Sequence, residues 1–148
     1  MNKHLSFILK TILLLTPLVL AACSEPAEQM QVSLEKAKEA ERSGNYDDAR
    51  DYYQDALKIA SKNPDALTGL GEDAFRRDRP EEAKEYFQRA LLVESDNADA
   101  HYRLGYLLEK EGNKREARKH YERAIQSDPQ EGDAYLRLAS LLDERERL

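Results

Sequence analysis

The sequence predicts an all-α fold, a stacked array of helix-turn-helix units, and three observations carry that prediction. Ala49, Ala83 and Ala117 lie 34 residues apart, and Ala56, Ala90 and Ala124 repeat the step. Larger residues keep the same interval: Tyr53, Phe87 and Tyr121; Leu57, Leu91 and Ile125; Leu70, Leu104 and Leu138; with Gly71, Gly105 and Ala139 beside the last set. Between turn-forming pairs the apolar residues fall on one stripe at the spacing of a 3.6-residue turn, and no β-rich run interrupts them. A fixed period of this size means that each unit buries its apolar face against its neighbours, so the work is done by a surface rather than a catalytic pocket.

The first 22 residues stand apart from the repeats. Met1 to Lys10 carries Lys3 and Lys10 and no acid, and Thr11 to Ala22 is apolar and ends in small residues. A basic segment followed by a short apolar one reads as an export signal. A spanning helix, the competing reading, needs about 17–25 apolar residues, and Lys10 and Pro17 cut this stretch short. Leu20-Ala21-Ala22-Cys23 then resembles the lipobox of bacterial lipoproteins, in which a peptidase cuts before the cysteine. That resemblance implies removal of residues 1–22 and a lipidated, palmitate-bearing Cys23. Cys23 is the only cysteine, so it has no partner for an intramolecular disulfide. Several acyl chains, at about 0.8 kcal/mol per buried methylene, give stable attachment where one would not.

The place that follows is the bacterial cell envelope. In similar Gram-negative lipoproteins Ser at the position of Ser24 is compatible with the outer membrane, so the chain is expected there, facing the periplasm. The lipidated cysteine and SEPAEQ, residues 23–29, read as a short polar tether whose six residues after Cys23 extend about 20 Å at most. The whole chain has a formal charge of −6. Loss of the two lysines makes the remainder more acidic, which argues against nucleic acid or an anionic bilayer as ligand of the folded part.

The array occupies residues 30–148. Gly44-Asn45, Asp78-Arg79-Pro80 and Gly112-Asn113 break the helical pattern within units, and Asn63-Pro64, Asp96-Asn97 and Asp128-Pro129 break it between them. Asn63 suits a helix N-cap, and Pro64 and Pro80 suit first turns. The expected helices are therefore 27–43, 46–61, 64–77, 80–94, 98–111, 114–127 and 132–147. Turns this short make neighbouring helices antiparallel. Gly71, Ala83, Gly105 and Ala117 are expected to let helix backbones approach closely. The charged run from Asp143 to Arg147 is expected to keep the last helix soluble.

These residues resemble the tetratricopeptide repeat, a 34-residue helix-turn-helix unit with a bulky residue, Leu-Gly, Ala, an aromatic, Ala and often Pro. The matches are Leu67, Leu70-Gly71, Ala83, Phe87 and Ala90 in one unit, and His101, Leu104-Gly105, Ala117, Tyr121, Ala124 and Pro129 in the next. The resemblance implies a right-handed α-solenoid of three repeats, 30–63, 64–97 and 98–131, plus a capping helix over 132–148. Ser33 and Lys36 depart from the pattern in the first helix, which fits a terminal position with one solvent-facing side.

No catalytic constellation is present. His101 and His120 are the only histidines beyond the leader, and His120 is expected on the outer face, so no metal site is expected. No nucleophile elbow, metalloprotease motif, phosphate loop or paired-cysteine motif occurs. Acidic pairs such as Asp47-Asp48 and Glu81-Glu82 sit in first turns, where the helix dipole favours them. The chain is read as no enzyme, with no cofactor.

By resemblance, the first helix of each unit lines a concave groove. Its candidate contact residues are Phe75, Arg76, Tyr102, Arg103, Tyr106 and Arg137, with Gly69 and Glu72 among the others turned the same way. Tyr and Arg carry interface energy because they bury large area and still make directed hydrogen bonds. The competing reading is that the aromatics pad the helix seam while the arginines pair with nearby acids. The family's carboxylate clamp maps onto Leu34, Lys38, Gly69, Asp99 and Arg103, and only Arg103 agrees, so a chaperone-tail receptor of that kind is not expected. The expected function is a membrane-anchored scaffold or adaptor that binds a protein or peptide segment, in pilus, secretion or outer-membrane assembly. The alternatives are a self-associating subunit and an adaptor of wall hydrolases.

Overall fold

A computed structural model of the chain describes residues 25–146, with side chains through residue 142. Residues 1–22, Cys23 and the lipobox lie outside the described residues. Seven helices and no strand occur among the described residues: α1 over 25–42, α2 Tyr46–Ile59, α3 Pro64–Arg76, α4 Pro80–Val93, α5 Ala98–Lys110, α6 Lys114–Ser127 and α7 Gly132–Glu146. None is long and apolar enough to cross a membrane. The first helix starts two residues before the expected 27, so the tether segment 25–29 is helical throughout. Glu25 and Glu28 are good helix formers at the start of a run that Leu34 and Ala37 anchor, and a helix rises only about 1.5 Å per residue, so the reach of that segment is shorter than the extended figure.

The turns are built alike in every unit. Gly44, Asp78 and Gly112, again 34 apart, all take positive φ, at 75°, 56° and 82°. In each case the residue after it returns its amide to the helix: Asn45 to Ala40, Arg79 to Ala74 and Asn113 to Leu108, at 2.8–3.0 Å. That is the Schellman closure, which satisfies carbonyls the helix end would leave open. Between units, the Asn63 and Asn97 side chains each accept the amide of the third residue on, Ala66 and Ala100, at 2.9 Å.

Each unit is an A helix (α1, α3, α5) followed by a B helix (α2, α4, α6), and α7 is a fourth A helix. The core runs between the two sets. One cluster holds Leu34, Ala37, Ala49, Tyr53, Ala56, Ala66 and Leu70; the next holds Leu67, Ala74, Ala83, Phe87, Ala90, Ala100, Leu104 and Leu107. Burial of Leu34 and Ala37 docks α1 despite the polar Ser33 and Lys36.

The expected close approach at Gly71 and Gly105 is made largely by aromatic rings. A Cβ on Gly71 would stand 2.6 Å from the Phe87 ring, and on Gly105 2.8 Å from the Tyr121 ring and 3.2 Å from the Ala117 carbonyl. At both glycines an aromatic ring from the paired helix fills the space a side chain would need, and at Gly105 the Ala117 backbone approaches as well. Gly69, expected in the groove, is buried, and a Cβ there would stand 2.3 Å from the Tyr53 ring. On α7, Tyr135, Leu136 and Leu142 are exposed.

Candidate functional site: the face formed by the A helices

The buried aromatics decide what the A-helix face presents. Tyr53 and Tyr121 donate their hydroxyls to Glu41 Oε2 at 2.9 Å and Glu109 Oε2 at 2.6 Å. Each glutamate lies twelve residues before its tyrosine. In the middle unit the ring is Phe87, with no hydroxyl to satisfy, and the residue twelve before it is Phe75. A carboxylate at both ends of the array is thus replaced by an apolar ring at its centre. Burial, with the neighbouring carboxylate, raises the pKa of both tyrosine hydroxyls, so they remain donors.

Phase along α3 and α5 brings the predicted residues together around that ring. Phe75 and Tyr106 meet edge to face with centroids 5.5 Å apart. The Arg103 guanidinium lies 5.2 Å from the Phe75 ring and 5.5 Å from that of Tyr102, and Arg137 from α7 lies 4.8 Å from Tyr106. Between α5 and α7 a cavity of about 340 Å³ is lined by Tyr102, Asp133, Leu136, Arg137 and Ser140. Arg76 goes elsewhere: it stacks 4.0 Å over Tyr46 and lies 3.6 Å from Glu41. The sequence therefore places five of six candidates in one cluster and Arg76 at its edge. It misses Tyr46, which stands where the other units have Pro80 and Lys114; that departure from the repeat is the signal that marks it.

The arginines also have acidic partners. Arg103 Nε lies 2.5 Å from Glu72 Oε1, and Arg137 Nη1 lies 3.6 Å from Glu109. Burial raises the pKa of Glu72, against the opposing pull of Arg103. The rings pad the seam between A helices and the arginines pair with nearby acids, while Phe75, Tyr102, Arg103, Tyr106 and Arg137 all stay partly exposed. Pre-placed cations over rings give a ligand directed contacts without ordering long side chains first. Of the clamp positions, Leu34 is buried, Gly69 lies under Tyr53, and Lys38 is paired with Asp65 at 2.9 Å.

The histidines correct a further expectation. His101 Nδ1 and His120 Nδ1 are 3.0 Å apart with ring centroids 5.2 Å apart, so both nitrogens lie near the line joining the rings. His120, expected toward the outer face, is instead partly buried against His101 of its own unit, and the matching Tyr52 and Tyr86 also pack on the core. His101 Nε2 sits 3.1 Å from the Ser95 carbonyl, which can only accept. That nitrogen therefore holds the proton, and His120 Nδ1–H donates to His101 Nδ1. Among the described residues no group of three or more His, Cys, Asp and Glu could hold a metal ion.

Burial lowers the pKa of both rings, and the charge of His101 lowers that of His120 further; Arg123 and Lys119 act in the same direction, Asp96 and Glu116 against it. A histidine with a depressed folded-state pKa takes its proton more readily when unfolded. Its stability contribution is present above about pH 6.5 and is lost as pH falls through the folded value. Glu72, raised by burial, acts with the opposite sign, so the effect is read as a difference between proteins. Urea midpoints are expected to fall less between about pH 7.5 and 5 in a His101→Leu/His120→Tyr protein, which carries the residues of Leu67 and Tyr86. Equal falls in both proteins would remove the histidines from the account.

Two family models described as tetratricopeptide repeat match, one over residues 68–131 and 107–148, the other over residues 37–93. No curated protein matches the sequence. Among solved structures, the chain is similar to the first repeat domain of Spaghetti (RPAP3) bound to the HSP90 peptide SRMEEVD, at 24% identity and TM-score 0.70, covering 80% of this chain and 94% of that one. It is similar to the second repeat domain of human RPAP3 in complex with the HSP70 peptide SGPTIEEVD, at 19% identity and TM-score 0.67, covering 78% and 97%. A Thermobaculum terrenum O-GlcNAc transferase mutant matches at 26% identity and TM-score 0.72, over 79% of this chain and 22% of that one.

Proposed function

The chain belongs to the tetratricopeptide repeat family, and on that premise we propose that it is a lipid-anchored envelope scaffold holding a segment of a partner protein on its A-helix face. The observation that carries the reading is the central cluster of Phe75, Tyr102, Arg103 and Tyr106, whose three rings have no counterpart one unit before or after. Repeat domains of similar fold hold peptides, those of HSP90 and HSP70. The loss of the clamp positions argues that the segment held here is recognised through aromatic contacts and a carboxylate near Arg103, rather than through a terminal carboxylate. Scaffolding without catalysis fits a face built from padded rings and paired charges, with no convergent acid, base and nucleophile.

Anchoring rests on the sequence of Leu20-Ala21-Ala22-Cys23, and assembly of an envelope complex at the outer membrane rests on the family resemblance. Two measurements separate these parts. Cys23→Ala is expected to move the protein from the membrane fraction to the soluble one; retention in the membrane would refute the lipid anchor. A photoreactive residue at Tyr106 is expected to crosslink one protein partner in cells, whereas the same residue at exposed Lys58, on the B helix α2 away from the cluster, is expected to give a weaker product. Equal products would disconnect the partner from the cluster.

A further inference from the structure

Asp65, Asp99 and Asp133 stand 34 residues apart, each at the second position of its A helix. Only the first has a cation. Lys38, on the preceding A helix, places its ammonium 2.9 Å from the Asp65 carboxylate. The residues one and two units after Lys38 are Glu72 and Tyr106, so the array has no lysine to give Asp99 or Asp133. Among the described residues neither of those carboxylates has an ion pair, and both are exposed. The arginines of the face are already committed, Arg103 to Glu72 and Arg137 to Glu109. Lys110, over the Tyr106 ring, lies at the other end of α5. Burial raises the pKa of Glu131, just before α7, and the charges of Asp99, Asp133 and Asp128 raise it further, with Arg103 opposing. Asp99, Glu131 and Asp133 thus share one negative patch.

The cavity of about 340 Å³ between α5 and α7 gives that patch a shape. Tyr102 and Leu136 are its apolar walls, and Asp133, Arg137 and Ser140 are its polar ones. Arg137 faces Glu109 at 3.6 Å, so the unpaired charge lining the cavity is the Asp133 carboxylate. Leu136 is 72% exposed and has no packing role that accounts for it. An aliphatic stem ending in a cation matches this lining, the stem against Tyr102 and Leu136 and the head on Asp133. A wholly apolar side chain would strip water from Asp133 and return no partner, and a carboxylate would meet like charge. We propose that the α5–α7 cavity is a specificity pocket for a lysine or arginine side chain of the segment held on the A-helix face, which gives Asp133 the cation that Lys38 gives Asp65. The inference rests on that face being the one that holds the segment. The segment then carries a basic residue beside the groups that reach Phe75 and Arg103.

The test uses the full-length chain in cells, with the photoreactive residue at Tyr106. Asp99→Asn/Asp133→Asn is expected to lower the yield of crosslinked partner about fivefold, and Asp133→Lys roughly tenfold or more. Both aspartates are exposed, so these proteins are expected to keep the urea midpoint of their parent. Mass spectrometry of the adduct is expected to find a lysine or arginine within about five residues of the attached one, the reach of a short extended segment. Exchanging that residue for glutamate in the partner is expected to lower the yield with the parent chain and to restore it with Asp133→Lys. Equal yields from the parent and Asp133→Lys, an adduct segment without a basic residue, or no restoration by the glutamate partner would each overturn the proposal. So would capture that EDTA abolishes and calcium restores, which assigns the patch to a divalent cation. Capture lost with Arg103→Ala but indifferent to both aspartates removes the pocket alone and leaves the docking face standing. No capture by the parent chain removes the docking face, and the pocket with it.

Discussion

Phe87→Ala is expected to cost about 3–5 kcal/mol, the range for deleting a fully buried phenylalanine. The ring is wholly buried and fills the space above Gly71. It also belongs to the cluster that joins α3 to α4 and both to α5 through Leu67, Ala83, Ala100 and Leu104. A domain of this size is stable by only about 5–15 kcal/mol, so the loss is a large fraction of the total. Its central position magnifies the effect, because stability in a stacked array is a sum of unit and neighbour-interface contributions and this residue takes part in both. The natural control is Leu92→Ala, also on α4 but exposed, for which a change within about 0.5 kcal/mol is expected. Urea unfolding followed by circular dichroism measures both, and similar midpoints would show that the core does not run through Phe87.

The second large effect is on partner capture. Tyr102→Ala/Arg103→Ala/Tyr106→Ala is expected to weaken binding of the partner crosslinked from Tyr106 by about 100-fold or more, since truncating a hot-spot residue costs about 2 kcal/mol or more. The three side chains hold one cluster with Phe75 and Arg137, so they act together and their losses do not add. Removing Arg103 also leaves Glu72 without its guanidinium, in a place where burial already disfavours the ionised carboxyl. Arg103→Lys separates the two consequences: it keeps a cation beside Glu72 but loses the planar group stacked on Phe75 and Tyr102. That variant is expected to fold as well as the unaltered protein and still bind more weakly. Full binding by the triple variant would reduce the cluster to padding.

Much of this was legible in the chain because a repeat states its rule several times. Six of seven helices begin within a residue of where their caps and prolines place them: Asn63 and Asn97 close the inter-unit turns, and Gly44 and Gly112 the inner ones. Within the candidate cluster Phe75, Tyr102 and Tyr106 stand out because they break the period. Errors fell where an interaction depends on a neighbouring helix. Gly69 looked like a groove residue because helical phase points it there, but the Tyr53 ring from α2 lies over it. His120 reads as exposed for the same reason, but the packing of α6 on α5 within the unit brings His101 within 3.0 Å.

The sequence by itself therefore determined the helices, their turns, the 34-residue stacking and which side chains break the pattern, because those follow from local periodicity and backbone chemistry. Only the tertiary structure decided which of those exceptions meet. It set Phe75 against Tyr106, hung Arg103 between Glu72 and two rings, sent Arg76 to Tyr46, and opened a cavity beside Asp133. The physical reason is that periodicity fixes the direction of a side chain relative to its own helix axis. What it touches depends on the distance and rotation of the next helix, which the packed rings of Tyr53, Phe87 and Tyr121 set.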